Sequence, residues 1–171
     1  MKDFEEVLPK LIKIRLFSSF DENAEDDRRI LRSVYDNMSV QKFAKGDIII
    51  KEGDPSEKFY ILYSGEIQIQ RRTPAGDSIA LATLNHEQNV FFGENAIINN
   101  APRAATVIAS SECQCIVFDS ERFNALCQKE PLLGYRIMRV LADDMARTIS
   151  NMNRDKAVLY EALFNEIEGG F

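Results

Sequence analysis

The stretch of sequence that decides the fold is Phe92-Gly93-Glu94-Asn95-Ala96-Ile97-Ile98-Asn99-Asn100-Ala101-Pro102-Arg103-Ala104-Ala105-Thr106-Val107. It brings a glycine, a carboxylate, a guanidinium and several small residues close together. Arg103 carries a planar, permanently charged donor fork that suits a phosphate, and Glu94 offers an acceptor for a sugar hydroxyl. Gly93 and the two alanines after Arg103 leave backbone N–H groups open to close approach. The stretch therefore predicts a site that holds a phosphate and a sugar hydroxyl side by side.

This stretch resembles the phosphate-binding cassette of cyclic-nucleotide-binding domains, which occur in cAMP-dependent kinase regulatory subunits, bacterial catabolite activators and cyclic-nucleotide-gated channels. The family pattern is Phe-Gly-Glu, apolar residues, a short variable turn and then Pro-Arg-Ala-Ala-Thr-Val. The matching positions are Phe92, Gly93, Glu94, Ala96, Ile97, Ile98, Pro102, Arg103, Ala104, Ala105, Thr106 and Val107. The chain departs from the pattern at Asn95, where the family usually has leucine or methionine. We call residues 92–107 the cassette.

Composition limits the class of protein. The 171 residues suffice for one well-packed domain with a helical extension, and the 45% of apolar residues argues against disorder. The net charge of −6 argues against a nucleic-acid-binding surface, which needs an excess of Lys and Arg. No apolar run is long enough to span a membrane, and Met1 to Glu6 lack the apolar core of a signal peptide. We therefore expect a cytoplasmic protein without a membrane or nucleic-acid partner.

The three cysteines favour reduced, buried thiols over disulfides or a metal site. Cys113, Cys115 and Val117 alternate along the chain, so they are expected to face one side of a strand. His86 is the only histidine, which argues against a metal site and against a catalytic triad.

The two ends of the chain carry apolar residues at helical spacing, and the middle carries short alternating runs. We expect an N-terminal helical segment at 1–38, a β-roll at 39–119 and C-terminal helices at 120–171, all within one domain. Asp21 or a polar neighbour is expected to cap the second helix, and Asp119 or Ser120 a later one. The apolar residues with helical spacing near the start are Val7, Leu8, Leu11, Ile12, Ile30, Leu31, Val34, Tyr35 and Met38.

The middle of the chain predicts an antiparallel, double-sheet jelly-roll. Apolar runs of strand length alternate with turn signals. Gly46, Gly53 and Gly65 also fall where the resembled family keeps its turns, so the resemblance covers about residues 40–120. The segment His86 to Asn89 fits less well, because the family commonly has a glycine-bearing turn there. The fold class is therefore mainly β, with flanking α-helices at both ends.

The C-terminal third is expected to contain a short helix, Ser120 to Lys129, and a longer one from Pro131. Met138, Met145, Met152 and Leu159 recur every seven residues, and Leu141 and Ile149 widen this stripe. Such a repeat is compatible with packing on the β-roll or on a partner helix in a homodimer.

The resemblance implies a set of ligand contacts. Arg103 neutralises the phosphate, Glu94 accepts from the ribose 2′-hydroxyl, and a helical turn at 95–98 directs N–H groups at the anion. In the family, a threonine directly after the arginine favours guanine, so Ala104 favours cAMP over cGMP. The expected ligand-binding residues are Phe92, Gly93, Glu94, Asn95, Ala96, Arg103, Ala104 and Ala105. The expected base contacts are Ile69, Tyr160 and Phe164, the last two from a C-terminal helix that closes over the ligand.

The sequence predicts a cyclic-nucleotide sensor that is not an enzyme and needs no cofactor besides its ligand. Its partner is expected to be a fused or separate effector protein. The alternative is a non-catalytic interaction or dimerisation module whose cassette no longer binds a nucleotide. In that reading Glu94 and Arg103 form a surface salt bridge, and they are also expected to pair when no ligand is bound.

Overall fold

The structure is a computed structural model that describes residues 3–55, 57–99 and 101–168. Asn100 of the cassette and the first two and last three positions of the predicted terminal segments lie outside the described residues. The helices are α1 (Phe4–Leu11), α2 (Glu25–Asp36), α3 (Asn95–Ile98), α4 (Ser120–Lys129) and α5 (Pro131–Glu168), with single 3₁₀ turns at Arg15–Phe17 and His86–Gln88.

Among the described residues, eight strands form two antiparallel four-stranded sheets, in the orders β1-β8-β3-β6 and β2-β7-β4-β5. The strands are β1 (Ser39–Phe43), β2 (Ile48–Ile50), β3 (Lys58–Ser64), β4 (Glu66–Arg72), β5 (Ser78–Asn85), β6 (Phe91–Phe92), β7 (Thr106–Ala109) and β8 (Cys113–Asp119). The helices come before and after this roll, apart from α3, which lies inside the cassette. The predicted double-sheet β-roll with flanking helices is therefore confirmed.

One hydrophobic core lies between the two sheets. Tyr60 and Leu62 of β3 contribute to it from the first sheet, and Ile67 of β4 and Val107 of β7 from the second. The predicted alternation on β8 is also confirmed, because Cys113, Cys115 and Val117 belong to this core. The inter-sheet core fixes the spacing of the sheets, and therefore the position of the cassette strand β7.

A second core lies on the outer face of the first sheet, where the helices pack. The intervening β3 residues Phe59 and Ile61 point into this core, and Phe59 stacks on Phe118 with ring centroids 4.6 Å apart. Strand β3 is therefore buried on both faces, which explains its uninterrupted apolar sequence. The predicted helical stripes of α1 and α2 enter the same core through Leu8, Leu11 and several further residues.

Helix α5 has two parts with different surroundings. Leu133, Ile137 and Leu141 are buried in the helical core, and the Arg136 guanidinium donates to the buried Asp27 carboxylate at 2.7 Å. Beyond Asp144, every residue of the helix with a described side chain is exposed. The seven-residue repeat is 47, 52, 64 and 68% exposed at Met138, Met145, Met152 and Leu159. Packing on the β-roll is thus confirmed for Leu141 and wrong for the repeat.

The predicted caps have different outcomes. The Asp119 carboxylate accepts from the Arg122 N–H at 3.0 Å and caps α4, as expected. The prediction that Asp21 or a polar neighbour caps α2 is wrong, because that helix starts after Ala24 without a side-chain cap. The Asp21 carboxylate instead accepts from the Asn23 N–H at 2.9 Å. The Asp21 N–H donates to the Asp27 carboxylate, also at 2.9 Å. Burial raises the pKa of Asp27, but the hydrogen bonds from Arg136 and Asp21 outweigh it and hold the pKa below its usual value.

The cysteines are free thiols. Cys113 and Cys115 are buried and Cys127 is half-buried, in agreement with the expectation. Burial raises the pKa of Cys115 to about 12 and that of Cys127 to about 11, so both thiols stay protonated at neutral pH. Within the described ranges, no helix has the length and apolar character needed to cross a membrane.

The turn between β3 and β4 leaves no space for a side chain at Gly65. Its φ is +92°, and an added Cβ would lie 2.9 Å from the Cys113 Cα and even closer to the Glu112 carbonyl.

Gly65→Ala is therefore expected to destabilise the protein by about 2–5 kcal/mol, through left-handed strain plus overpacking. Gly46→Ala is the matched control, since its φ is +94° but the space around it is open. In urea unfolding, the free energy of unfolding of that control should be about 1–2 kcal/mol lower than that of the wild type. Equal losses in the two variants would contradict the proposed crowding at Gly65.

Candidate functional site

The cassette and the second sheet enclose a cavity of about 190 Å³. We call this space the cassette cavity. Its lining consists of Ile50, Ile69, Phe92, Gly93, Glu94, Asn95, Arg103, Ala104, Ala105 and Val107. Every expected ligand-binding residue therefore lines this cavity except Ala96, which is buried. The structure brings together residues from both ends of the cassette, on either side of α3.

Arg103 is held in place by both its backbone and its side chain. Its N–H donates to the Asp54 carbonyl and its carbonyl accepts from the Gly53 N–H, each at 2.9 Å. In the side chain, Nη1 donates to the Gly93 carbonyl at 3.2 Å and Nη2 donates to the Lys58 carbonyl. A guanidinium has five N–H donors, so further N–H groups remain for a ligand. Arg103 is thus oriented by the protein itself.

The Arg103 guanidinium is partly removed from solvent and has groups nearby that can carry negative charge. The side chain is half-buried, and this desolvation lowers the pKa of Arg103 from its ordinary value, against the attraction of Tyr60, Glu94 and Glu57. An arginine remains charged despite such a shift. A cation that has lost part of its hydration interacts more strongly with an anion than a fully exposed cation does. The cavity wall is therefore suited to a single phosphate group.

The Glu94 carboxylate has a different environment from the one expected. The predicted Glu94–Arg103 ion pair does not form, because both terminal nitrogens of Arg103 donate to backbone carbonyls. In the described part of the chain, the Glu94 carboxylate accepts no hydrogen bond and forms no ion pair. It lies half-buried at the start of α3 and lines the cavity. Both carboxylate oxygens are therefore available to a ligand hydroxyl.

The predicted helical turn at 95–98 is present as α3. The expectation that its N–H groups point freely at the anion is wrong for two of them. The Ala96 N–H donates to the Gly93 carbonyl at 3.1 Å, and the Ile97 N–H donates to the Glu94 carbonyl at 2.9 Å. A single turn satisfies its own first donors in this way, so Arg103 contributes most of the positive charge at the site.

Gly93 is required by both conformation and space. Its φ is +77°, a region that side chains disfavour. An added Cβ would lie 2.8 Å from the Arg103 Nη1 and 3.1 Å from the Ile50 Cδ1. The absence of a side chain at this position therefore lets the guanidinium reach the Gly93 carbonyl.

The expected base contacts fall in two places. Ile69 on β4 lines the cassette cavity. Tyr160 and Phe164 do not line it, and they are 51 and 64% exposed on the distal part of α5. In this conformation neither aromatic residue therefore closes over the cavity.

Sequence reasoning missed several parts of the site. Ile50 lines the cavity, and Lys58 contributes through its backbone carbonyl, which no side-chain pattern encodes. Val107 also lines it, and its match to the family pattern was a signal that it belongs there. The atypical segment His86 to Asn89 forms a 3₁₀ turn capped by Asn85, and none of its residues lines the cavity. Among the described residues, no group of histidine, cysteine and acidic side chains could hold a metal ion.

Comparisons with known proteins agree with this geometry. The profile of the cyclic nucleotide-binding domain matches residues 40–130. A cAMP-dependent protein kinase regulatory subunit from Dictyostelium discoideum is 32% identical over 120 residues, covering 67% of this chain and 37% of that protein. Human cGMP-dependent protein kinase 2 is 31% identical over 152 residues, covering 82% of this chain and 19% of the kinase.

A solved structure shares the fold. The crystal structure of a cyclic nucleotide-binding domain from Methylobacillus flagellatus KT superposes with a TM-score of 0.71 at 24% identity, covering 88% of this chain and 81% of the other. The curated relatives above are much longer than this chain, which spans only 37 and 19% of their lengths. The profile match extends over more than half of the chain and includes the whole cassette. This chain therefore belongs to the cyclic nucleotide-binding domain family.

Proposed function

We propose that this chain is a regulatory module that binds cAMP and signals its presence without catalysing a reaction. The observation that carries the proposal is the meeting of an oriented guanidinium, Arg103, and an available carboxylate, Glu94, in one cavity. A cyclic nucleotide offers a singly charged phosphate next to a ribose hydroxyl, and these are the two groups that such a pair recognises. Family membership supports the same ligand class.

In the proposed complex, the remaining N–H groups of Arg103 donate to the exocyclic phosphate oxygens. Each such charge-assisted bond contributes about 1.5–3 kcal/mol. Glu94 accepts from the ribose 2′-hydroxyl, which favours ribose over deoxyribose ligands. Gly93, Ala104 and Ala105 allow the sugar and phosphate to approach the backbone, and Ile69 contacts the base.

The preference for cAMP over cGMP is part of the proposal. The relatives include kinases named for each nucleotide. In the family, guanine is favoured by a threonine directly after the phosphate-binding arginine, and Ala104 has no hydroxyl to offer. The absence of this hydrogen-bonding group supports adenine as the base.

We propose that ligand binding changes the position of α5. Ile97 of α3 is buried in the same helical core as Leu126 of α4 and Leu133 of α5, so a shift of α3 acts on both helices. A ligand that binds one arrangement better by about 1–3 kcal/mol is sufficient for a switch. Tyr160 and Phe164 would then move towards the base. The signal would pass to a fused or separate effector in the cytoplasm, with no nucleic acid or membrane as partner.

Arg103→Gln tests the proposed ligand site. Loss of two charge-assisted bonds is expected to weaken cAMP binding by about 100-fold or more, as measured by isothermal titration calorimetry. Arg71→Gln is the matched control, because it removes the same charge from an exposed position on β4. It should leave the affinity unchanged. Absence of binding heat with both cAMP and cGMP in the wild type would contradict the sensor proposal, and turnover of either nucleotide would contradict the absence of catalysis.

Ala104→Thr tests the proposed base preference. An added hydroxyl that bonds guanine is expected to improve the cGMP affinity relative to cAMP by about 3–10-fold. Competition of the two nucleotides for a fluorescent analogue measures this ratio. Ala101→Thr, at an exposed position outside the cavity lining, serves as the control. An unchanged ratio in Ala104→Thr would refute this explanation of the preference.

A second candidate function is homodimerisation or docking through α5. It is favoured by exposed apolar residues on its distal part, which follow one another at intervals of 4, 3, 7 and 4 residues. These residues are Met145, Ile149, Met152, Leu159 and Leu163. A stripe with this spacing is typical of a helix that packs along another helix.

Met152→Glu tests the dimer. A charge in the middle of a helix–helix seam is expected to convert a dimer to a monomer in sedimentation equilibrium at micromolar concentrations. Asn151→Glu introduces the same charge at the neighbouring exposed position and should leave the dimer intact. A monomeric wild type at these concentrations would exclude the proposed self-association.

A further inference from the structure

A second cavity of about 190 Å³ lies next to the cassette cavity. Arg103 and Ile50 line both spaces and so form the wall between them. We call this space the rear cavity. Besides Arg103, the residues with polar groups that line it are Lys51, Asp54, Glu57, Lys58 and Tyr60. The guanidinium that is proposed to hold the phosphate thus has a second polar environment behind it.

Tyr60 is the unusual member of this lining. It is only 6% exposed, and its ring is stacked on Phe92 with centroids 5.3 Å apart and planes 10° apart. Its hydroxyl forms no hydrogen bond with the parts of the chain that the structure describes. Buried hydroxyls are nearly always hydrogen-bonded, so one without a protein partner beside a polar cavity requires an explanation.

The ring of Tyr60 is fixed relative to Arg103 by a short chain of contacts. Phe92, on which it stacks, directly precedes Gly93, whose carbonyl accepts from Arg103. The Lys58 carbonyl, the other acceptor of Arg103, lies two residues before Tyr60 on β3. Both anchors of the guanidinium are therefore attached to the segments that position the Tyr60 ring.

We propose that the Tyr60 hydroxyl is a positioning group for Arg103. Its oxygen accepts a further guanidinium N–H through one water in the rear cavity, and so fixes the plane of the donor fork. The hydrogen bonds to the Gly93 and Lys58 carbonyls restrain the two terminal nitrogens of Arg103. A third contact, from the side of the rear cavity, restricts the remaining rotation of the guanidinium plane. A phosphate is recognised best by a fork whose orientation is already set.

The charges around the rear cavity are compatible with this role. Asp54 and Glu57 line it, but neither forms an ion pair with Arg103 among the described residues, so no carboxylate takes the place of the hydroxyl. Burial raises the pKa of Tyr60, which keeps the hydroxyl neutral at physiological pH. The pKa of Arg103 also responds to the ionisation of Tyr60, which indicates that the phenol oxygen lies near the guanidinium.

The first test uses the ligand-free protein and is independent of the proposed function. In Tyr60→Phe, which removes one oxygen, the Arg103 Nε–H is expected to exchange with solvent about threefold faster or more in ¹⁵N NMR spectra. Tyr135→Phe, at a side chain that is 61% exposed, is the matched control and should leave that signal unchanged. An unaltered Arg103 signal in Tyr60→Phe would overturn the proposal. If Tyr60→Phe does not unfold cooperatively, 3-fluorotyrosine at position 60, a weaker acceptor, provides the same measurement.

The second test rests on the proposed function and measures cAMP affinity. Tyr60→Phe is expected to weaken binding about 3–10-fold in the wild type and to have no further effect in an Arg103→Lys background. An equal loss in both backgrounds would mean that Tyr60 acts only on the fold, and would overturn the positioning role. If the wild type binds neither nucleotide, the proposed function fails, whereas the ligand-free measurement still decides the role of Tyr60.

Discussion

The structure of the site depends on one interaction, the donation of two N–H groups from Arg103 to the backbone carbonyls of Gly93 and Lys58. These acceptors belong to different segments, and both are fixed by the β-roll. The guanidinium is therefore aimed by the fold, and its desolvation is compensated by hydrogen bonds that do not neutralise its charge. A carboxylate partner would have cancelled that charge, and the Glu94 carboxylate is instead left available at the edge of the same cavity.

The sequence was sufficient to predict most of the cavity lining because most of the lining residues belong to one continuous segment. The cassette turns back on itself through α3, so Glu94 and Arg103 meet although they are nine positions apart. The residues that the sequence did not predict come from elsewhere in the chain. Ile50 reaches the cavity through sheet pairing, and the Lys58 contribution is a carbonyl that any residue type could supply.

The correct and the incorrect predictions about the fold each have a physical reason. The alternation on β8 identified a strand face because one side must enter the inter-sheet core. The cap of α2 was mispredicted because the Asp21 carboxylate accepts from the Asn23 N–H in the turn that precedes the helix. The seven-residue repeat of α5 was compatible with two kinds of packing partner, and only the position of the helix relative to the roll shows that Met145 and Met152 do not contact the core.

The most direct test of the central claim is a crystal structure of the chain with cAMP. Our account predicts that the exocyclic phosphate oxygens lie within hydrogen-bonding distance of the Arg103 guanidinium, with the 2′-hydroxyl on the Glu94 carboxylate. A nucleotide bound elsewhere, or a cassette cavity that contains no nucleotide at millimolar cAMP, would contradict it.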